Sequence, residues 1–163
     1  MIGPIRKLAD VVIDTTRFNV HELRHFVTER FKNPDKRPML VSVVSFGYRF
    51  GVPTDADLVF DVRFLPNPHF VPRLRAYSGK DPRVARYIRS FPQTGEFLRR
   101  IESLLAYLIP HYIREGKSYL TVALGCTGGR HRSVALAETI RRALHRKGFS
   151  AKVVHRDLDK SAT

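Results

Sequence analysis

The chain has 163 residues, 43% of them apolar, with 10 glycines and 10 prolines: enough for one ordinary domain plus an appendage, and too apolar for a disordered chain. Lys and Arg number 29 against 15 acids, for a net charge of +14, which favours nucleic acid first, phosphorylated ligands second and an anionic membrane surface third; a soluble basic protein without a polyanion partner is the plain alternative. No apolar run reaches the ~18 residues of a membrane span or forms a signal-peptide core, and a single cysteine makes no internal disulfide, so a reducing, cytoplasmic compartment is expected.

Residues 8–14 read as a short strand ending on Asp14. Asn19 and Glu22 form a capping-box pair ahead of a helix with Leu23, Phe26, Val27 and Phe31 as its apolar stripe. The Pro-containing stretch 33–38 then reads as a linker. One strand and one helix cannot enclose a core, so residues 1–37 are expected to be the end of another unit or an arm. A second unit, 38–163, opens on Met39–Phe46, apolar enough for a strand buried on both faces. A loop over 47–53 leads to a strand at Asp57–Arg63 and the turn Leu65–His69. Residues 73–82 are basic and irregular, and Asp81-Pro82 starts a short helix carrying Val84, Tyr87 and Ile88. Thr94 is expected to cap the longest helix, with Phe97, Leu98, Ile101, Leu104, Leu105 and Leu108 facing the core, a kink at Pro110 and an end at Gly116. Tyr119–Leu124 is a β-branched, apolar strand, and a helix runs from Val134 with Ile140 and Leu144 on one face until Gly148. Ala151–His155 makes the last strand, and the tail from Asp157 is expected to fray. Strands alternating with helices predict an α/β fold: a mostly parallel sheet flanked by helices, with an N-terminal strand-helix appendage.

Between the central strand and its helix lies Gly125-Cys126-Thr127-Gly128-Gly129-Arg130-His131-Arg132-Ser133. Glycines let backbone N–H groups converge, and the helix N-terminus adds its positive dipole end, so this turn is an anion cradle with three basic side chains. In parallel sheets ligands bind beyond the carboxyl ends of strands, which would bring Asp61 and the Asn67–His69 turn to the same edge. Cys126 to Ser133 also spells C-x5-R-S, the spacing of a cysteine-dependent phosphatase loop. There Cys126 would be the thiolate nucleophile, Arg132 the phosphate clamp and Asp61 the acid. Gly125 stands where that pattern has histidine. No Walker loop occurs, and one cysteine without HxH or HExxH spacing gives no metal site. His131 is the better ligand candidate of the loop histidines, with His69 beside it as a ligand or a structural residue. Residues 130–163 carry Arg130, Arg132, Arg141, Arg142, Arg146, Lys147, Lys152, Arg156 and Lys160 against Glu138, Asp157 and Asp159. With Phe149 as their one aromatic, they suit the backbone of folded or duplex RNA rather than stacked single strands.

Three segments carry a resemblance: Ser42–Tyr48, Asp55–His69 and Tyr119–Val134 closely resemble the C-terminal domain of the bacterial RapZ proteins, over about Leu8 to Leu158. The resemblance implies a preceding P-loop kinase-like domain binding ATP or GTP, of which 1–37 would be the final strand and helix plus linker, and of which this fragment lacks the nucleotide site. It implies an RNase adapter that presents a small regulatory RNA to an endoribonuclease and controls glucosamine-6-phosphate synthesis. In that reading the domain at 38–163 binds RNA and senses the amino-sugar phosphate, at positions matching Asp61, His69, Cys126, Thr127, Gly128, His131 and Arg132. The loop amides, with Gly129 and Ser133 in the same turn, would hold phosphate (or sulfate) with Arg132, Asp61 would pair with the ligand's ammonium, and His69 and Ser118 would line the site. Asp157 and Asp159 dilute the basic tail that enterobacterial members carry. The expected protein is thus a non-catalytic sensor and RNA binder, a homo-oligomer with no membrane partner and no cofactor in this chain. Its rivals are the phosphatase and a module whose basic face docks on an acidic protein.

Overall fold

The structure, a computed structural model, describes residues 9–30 and 39–162, and the chain divides into two compact units, Met1–Arg37 and Pro38–Thr163. In the first, Asp14 caps a single 3-10 turn, Thr15–Arg17, by accepting from the Thr16 N–H at 3.0 Å. Helix α1 (Val20–Arg30) opens on the expected capping box: Asn19 Oδ1 accepts from Glu22 N at 2.9 Å and Glu22 Oε2 from Asn19 N at 3.0 Å. Phe18 and Phe26 meet with ring centroids 5.1 Å apart. Residues 9–14 form no strand, because no partner edge exists for them among the described residues. Leu8, Phe31 and the 33–38 linker lie outside the described residues.

The second unit is built on four parallel strands in the order β2-β3-β1-β4: β1 Leu40–Gly47, β2 Leu58–Asp61, β3 Tyr119–Cys126 and β4 Ala151–His155. β1 is central, pairing Val43 with Val122 of β3 on one side and Val153 of β4 on the other. β2 is the edge, its Asp61 level with Gly125, so the second strand does run parallel and adjacent to the loop-bearing one. Alternation divides the side chains into two layers. Val41, Val43, Leu120, Val122 and Leu124 point into the main core, with helices α3 (Pro82–Arg89), α4 (Pro92–Arg114) and α5 (Arg132–Arg146) stacked over them through Ile88, Leu105 and Ile140. On the opposite face, Val44, Phe46 and Ala123 are covered by Tyr48 and Ala56 of the β1–β2 connection. A one-turn helix α2 (Pro72–Arg75) follows the turn at Pro68–Phe70.

Several elements differ from expectation. Helix α4 starts at Pro92, with Phe91 as N-cap; Thr94 is therefore inside the first turn, fully buried, its hydroxyl without a partner. Proline at N1, where no N–H is needed, sets the start instead of a hydroxyl cap. The buried stripe runs Leu98, Ile101, Leu105, Ile109, while Leu104 is 40% exposed: one residue of phase is 100° of rotation. The helix continues through Pro110 to Arg114, because that proline lies on the exposed side. Gly116 ends it at φ 85° as expected. The tail is not frayed at Asp157, which is fully buried, and a 3-10 turn follows at Asp159–Ala162.

Candidate functional site

β3 delivers Cys126 at its C-terminal end, five residues turn, and α5 begins at Arg132. The turn is pressed onto the end of β1. Gly129 has φ 73°, and a Cβ there would lie 2.7 Å from Gly47 N; a Cβ on Gly47 would lie 2.6 Å from the Gly128 carbonyl carbon. Neither glycine tolerates a side chain without moving backbone. The turn's carbonyls face the protein: Arg49 N donates to Thr127 O (3.2 Å), Gly79 N to Arg130 O (2.9 Å) and Ala135 N to His131 O (3.0 Å). No peptide among the described residues is cis, so the N–H groups that follow, those of His131 and Arg132, point the other way. No described acceptor takes the N–H of Gly129, Arg130, His131, Arg132 or Ser133, and α5 has no side-chain N-cap. A helix start left open in this way carries concentrated positive potential.

Arg132 adds to it. The side chain is 5% exposed; Nη1 donates to the carbonyls of Arg63 (2.7 Å) and Leu65 (3.0 Å), and Nη2 to Thr127 Oγ1 (3.2 Å). Nε has no partner. A buried donor without an acceptor costs ~1–3 kcal/mol, more on a charged group, so the Nε edge is held at a cost. Its partners here are neutral, so its charge is uncompensated by them. Cys126 Sγ lies 3.1 Å from Ser133 Oγ, both buried under the turn. His131 is 7% exposed with Nε2 3.3 Å from Arg75 O, and burial lowers its pKa, keeping the ring neutral at pH 7. The His69 ring, which is exposed, sits 6.3 Å from it.

These groups border a pocket of about 370 Å³. Of the residues expected from sequence, His69, Cys126, Thr127, Gly128, His131 and Arg132 line it. Gly129 and Ser133 lie behind the wall as the turn and the thiol's neighbour. Asp61 is at the same sheet edge but does not line the pocket: Arg63 donates to its two oxygens at 2.6–3.0 Å, and the Arg63 N–H adds a bond at 2.8 Å. Those bonds hold its carboxyl below the usual carboxylate range, so it is ionised at neutral pH and cannot supply a proton to a leaving group. Ser118 is misplaced in the sequence reading. It precedes β3, and the eight-residue strand puts it roughly 25 Å from the loop, at the opposite edge of the sheet. Arg49, Asn67, Phe70 and Arg130 line the pocket without having been assigned to it. Asn67 was legible from strand order, while Arg49 and Phe70 arrive on separate loops and carry no sequence signal. No carboxylate lines the pocket, and no cluster of three or more His, Cys, Asp or Glu fit for a metal exists among the described residues.

The expected RNA contacts divide. Arg146, Lys147 and Lys152 are exposed, and Arg141 and Arg142 share Glu138 at 3.6 and 3.8 Å. Arg156 is half-buried and occupied by Asp157 (2.7 Å) and the carbonyl of Gly51 (2.6 Å), so it is a brace rather than a displayed charge. No helix among the described residues is long and apolar enough to cross a membrane.

Fold and turn together define a parallel α/β domain with an open, arginine-backed turn at the carboxyl edge of its sheet. More particularly, the chain belongs to the RapZ C-terminal domain family, whose model matches residues 39–159. It is 62% identical to a nucleotide-binding protein of Koribacter versatilis over 98% of this chain and 53% of that one. Nucleotide-binding proteins of Solibacter usitatus (59%; 98% and 50%) and Geobacter metallireducens (55%; 98% and 56%) are similar to it as well. The chain spans about half the length of these relatives.

Proposed function

We propose that this chain is a regulatory domain that senses an amino-sugar phosphate, glucosamine-6-phosphate, at the turn Cys126–Ser133 and binds a small regulatory RNA through its basic surface. The observation that carries the reading is the unpartnered Nε of buried Arg132 beside five backbone N–H groups without acceptors. A phosphate dianion would take up the turn's N–H donors and balance the charge of Arg132. The sugar's amino group would turn toward Asp61, which already holds Arg63, so the phosphate carries most of the affinity and the ammonium adds a smaller share. In the whole protein, the nucleotide (ATP or GTP) belongs to a preceding P-loop kinase-like domain of which 1–37 is the end, and the complex would present RNA to an endoribonuclease.

A second reading, a cysteine-dependent phosphatase, is favoured by one contact, Cys126 Sγ to Ser133 Oγ at 3.1 Å, which sets a hydroxyl beside the candidate nucleophile. Against it, Asp61 is an ion-paired base rather than an acid. Calorimetric titration with glucosamine-6-phosphate, glucose 6-phosphate and glucosamine tests the first reading: both phosphates bind, within about tenfold of each other, and glucosamine does not. Equal binding of glucosamine would end it. Turnover of an aryl phosphate that disappears in Cys126→Ser would establish the second reading instead.

A further inference from the structure

Three arginines border the phosphate pocket, Arg49, Arg130 and Arg132, and no carboxylate among the described residues does. Each has only neutral partners. Arg132 donates to two carbonyls and a hydroxyl, Arg130 gives one Nη2 bond to the Ala76 carbonyl at 3.0 Å, and the Arg49 guanidinium lies 4.6 Å from the centroid of the Phe50 ring. The nearby acids are engaged elsewhere: Asp61 by Arg63 at 2.6 Å, Asp81 by Arg83 at 2.8 Å and Asp157 by Arg156 at 2.7 Å. Asp159 borders a neighbouring hollow with Arg130, but no ion pair joins the two. The backbone holds both outer arginines in place. Arg49 N donates to Thr127 O at 3.2 Å, and Arg130 O accepts from Gly79 N at 2.9 Å. Burial keeps the His131 ring neutral, so the fixed charge of the hollow is that of its arginines.

A phosphate dianion seated on the turn offsets two of these three positive charges. The remainder, with the dipole of the helix start, stays in a hollow of about 370 Å³, the size of a small-molecule site, where walls of one sign concentrate the potential. We propose that Arg49 and Arg130 form a second anion subsite in this pocket, and that the ligand class it takes is a phosphorylated sugar carrying a further phosphate or carboxylate. The proposal rests on the phosphate reading above and narrows it: glucosamine-6-phosphate fills the turn alone, whereas a doubly anionic sugar fills both places. Donors are available for the second group. Arg130 has spent a single donor, and the Arg49 guanidinium none on a described acceptor, so either fork can meet an oxyanion. Arg130, which sequence grouped with the RNA-facing cations, becomes a ligand residue of the small-molecule pocket, and Arg49 joins it from the turn that follows β1.

The test is calorimetric titration of the whole chain, at ~0.15 M salt, with glucose 6-phosphate, glucose 1,6-bisphosphate and 6-phosphogluconate. One or both of the doubly anionic sugars should bind about tenfold or more tighter than glucose 6-phosphate. That ratio should fall to about twofold or less in Arg49→Ala with Arg130→Ala, and part of the way in Arg49→Ala alone, which is read where the double variant binds too weakly. Arg99→Ala with Arg100→Ala removes equal charge from the exposed side of α4 and should keep the ratio of the unaltered chain, which separates a local subsite from general attraction to a basic protein. If glucose 6-phosphate binds and neither doubly anionic sugar gains on it, the second subsite is overturned and the phosphate reading stands. A gain that survives loss of Arg49 and Arg130, or that falls equally in the α4 variant, also overturns it. If glucose 6-phosphate itself does not bind, the phosphate reading and the subsite go together.

Discussion

Arg132 and Arg156 both come off the carboxyl side of the sheet and both are anchored by backbone carbonyls, yet they are opposite in kind. Arg156 faces the buried carboxylate of Asp157, and its charge is consumed inside the protein. Burial, the largest influence on Asp157, pushes its carboxyl up, but bonds from Arg156, the Gly47 N–H and Lys160 together bring it below the ordinary value. Arg132 meets only two carbonyls and a hydroxyl, keeps its net charge and has a buried Nε without an acceptor. An arginine with a carboxylate holds the fold together; one surrounded by neutral acceptors waits for an anion.

The contrast breaks most cleanly by truncating each. Arg132→Ala should lower glucosamine-6-phosphate affinity more than 100-fold by calorimetry, and Arg132→Lys should recover little, since a point charge cannot reproduce the fork. Arg156→Ala should leave that affinity within about threefold but lower unfolding free energy by about 2 kcal/mol in urea titration, as Asp157 loses its principal donor. Should the two variants behave alike, the distinction drawn between them is wrong. Next in size, Gly129→Ala adds a Cβ against Gly47 N at a positive φ. A loss of about 2 kcal/mol and a roughly tenfold weaker ligand are expected, whereas Gly95→Ala, where a Cβ meets nothing within 4 Å, should do neither.

The smallest effect is in pH. Burial lowers the pKa of both His131 and His155, although Glu138 partly opposes this at His155. The folded chain therefore resists protons that the unfolded chain accepts below about pH 6.5, so their contribution is complete above that pH and declines as pH falls through it. Carboxylates with lowered pKa values, such as Asp61 and Asp157, withdraw theirs only nearer pH 4 and below. Melting temperatures between pH 7.5 and 5.5 should fall by a few degrees, and by less in His131→Gln with His155→Gln; an identical fall would exclude these two rings as the cause.

Much of the scaffold was legible in the residues because it rests on local chemistry. The alternation of β-branched runs with helical stripes gave the parallel sheet, Asn19 and Glu22 their reciprocal cap, and the glycines their turn. What escaped depends on direction and distance. Ser118 adjoins the strand that bears the loop, and only the strand's extent sends it to the far edge. Thr94 had the right chemistry for a cap, but Pro92 came first. Arg156 looked like one more basic residue, because nothing adjacent in sequence reveals that Asp157 is buried. Arg49 and Phe70 meet the anion turn from the ends of other strands, a proximity that no spacing encodes.

One carboxylate also ties the last turn to the ligand site. Asp157 takes the N–H of Gly47, and a Cβ added to Gly129 would lie 3.1 Å from its Cβ, so the segment leaving β4 packs behind both β1 and the anion turn. Trimming the molecule just after His155 would thus remove a strut instead of a loose end, and a fusion partner joined at that point would pull directly on the floor beneath that turn.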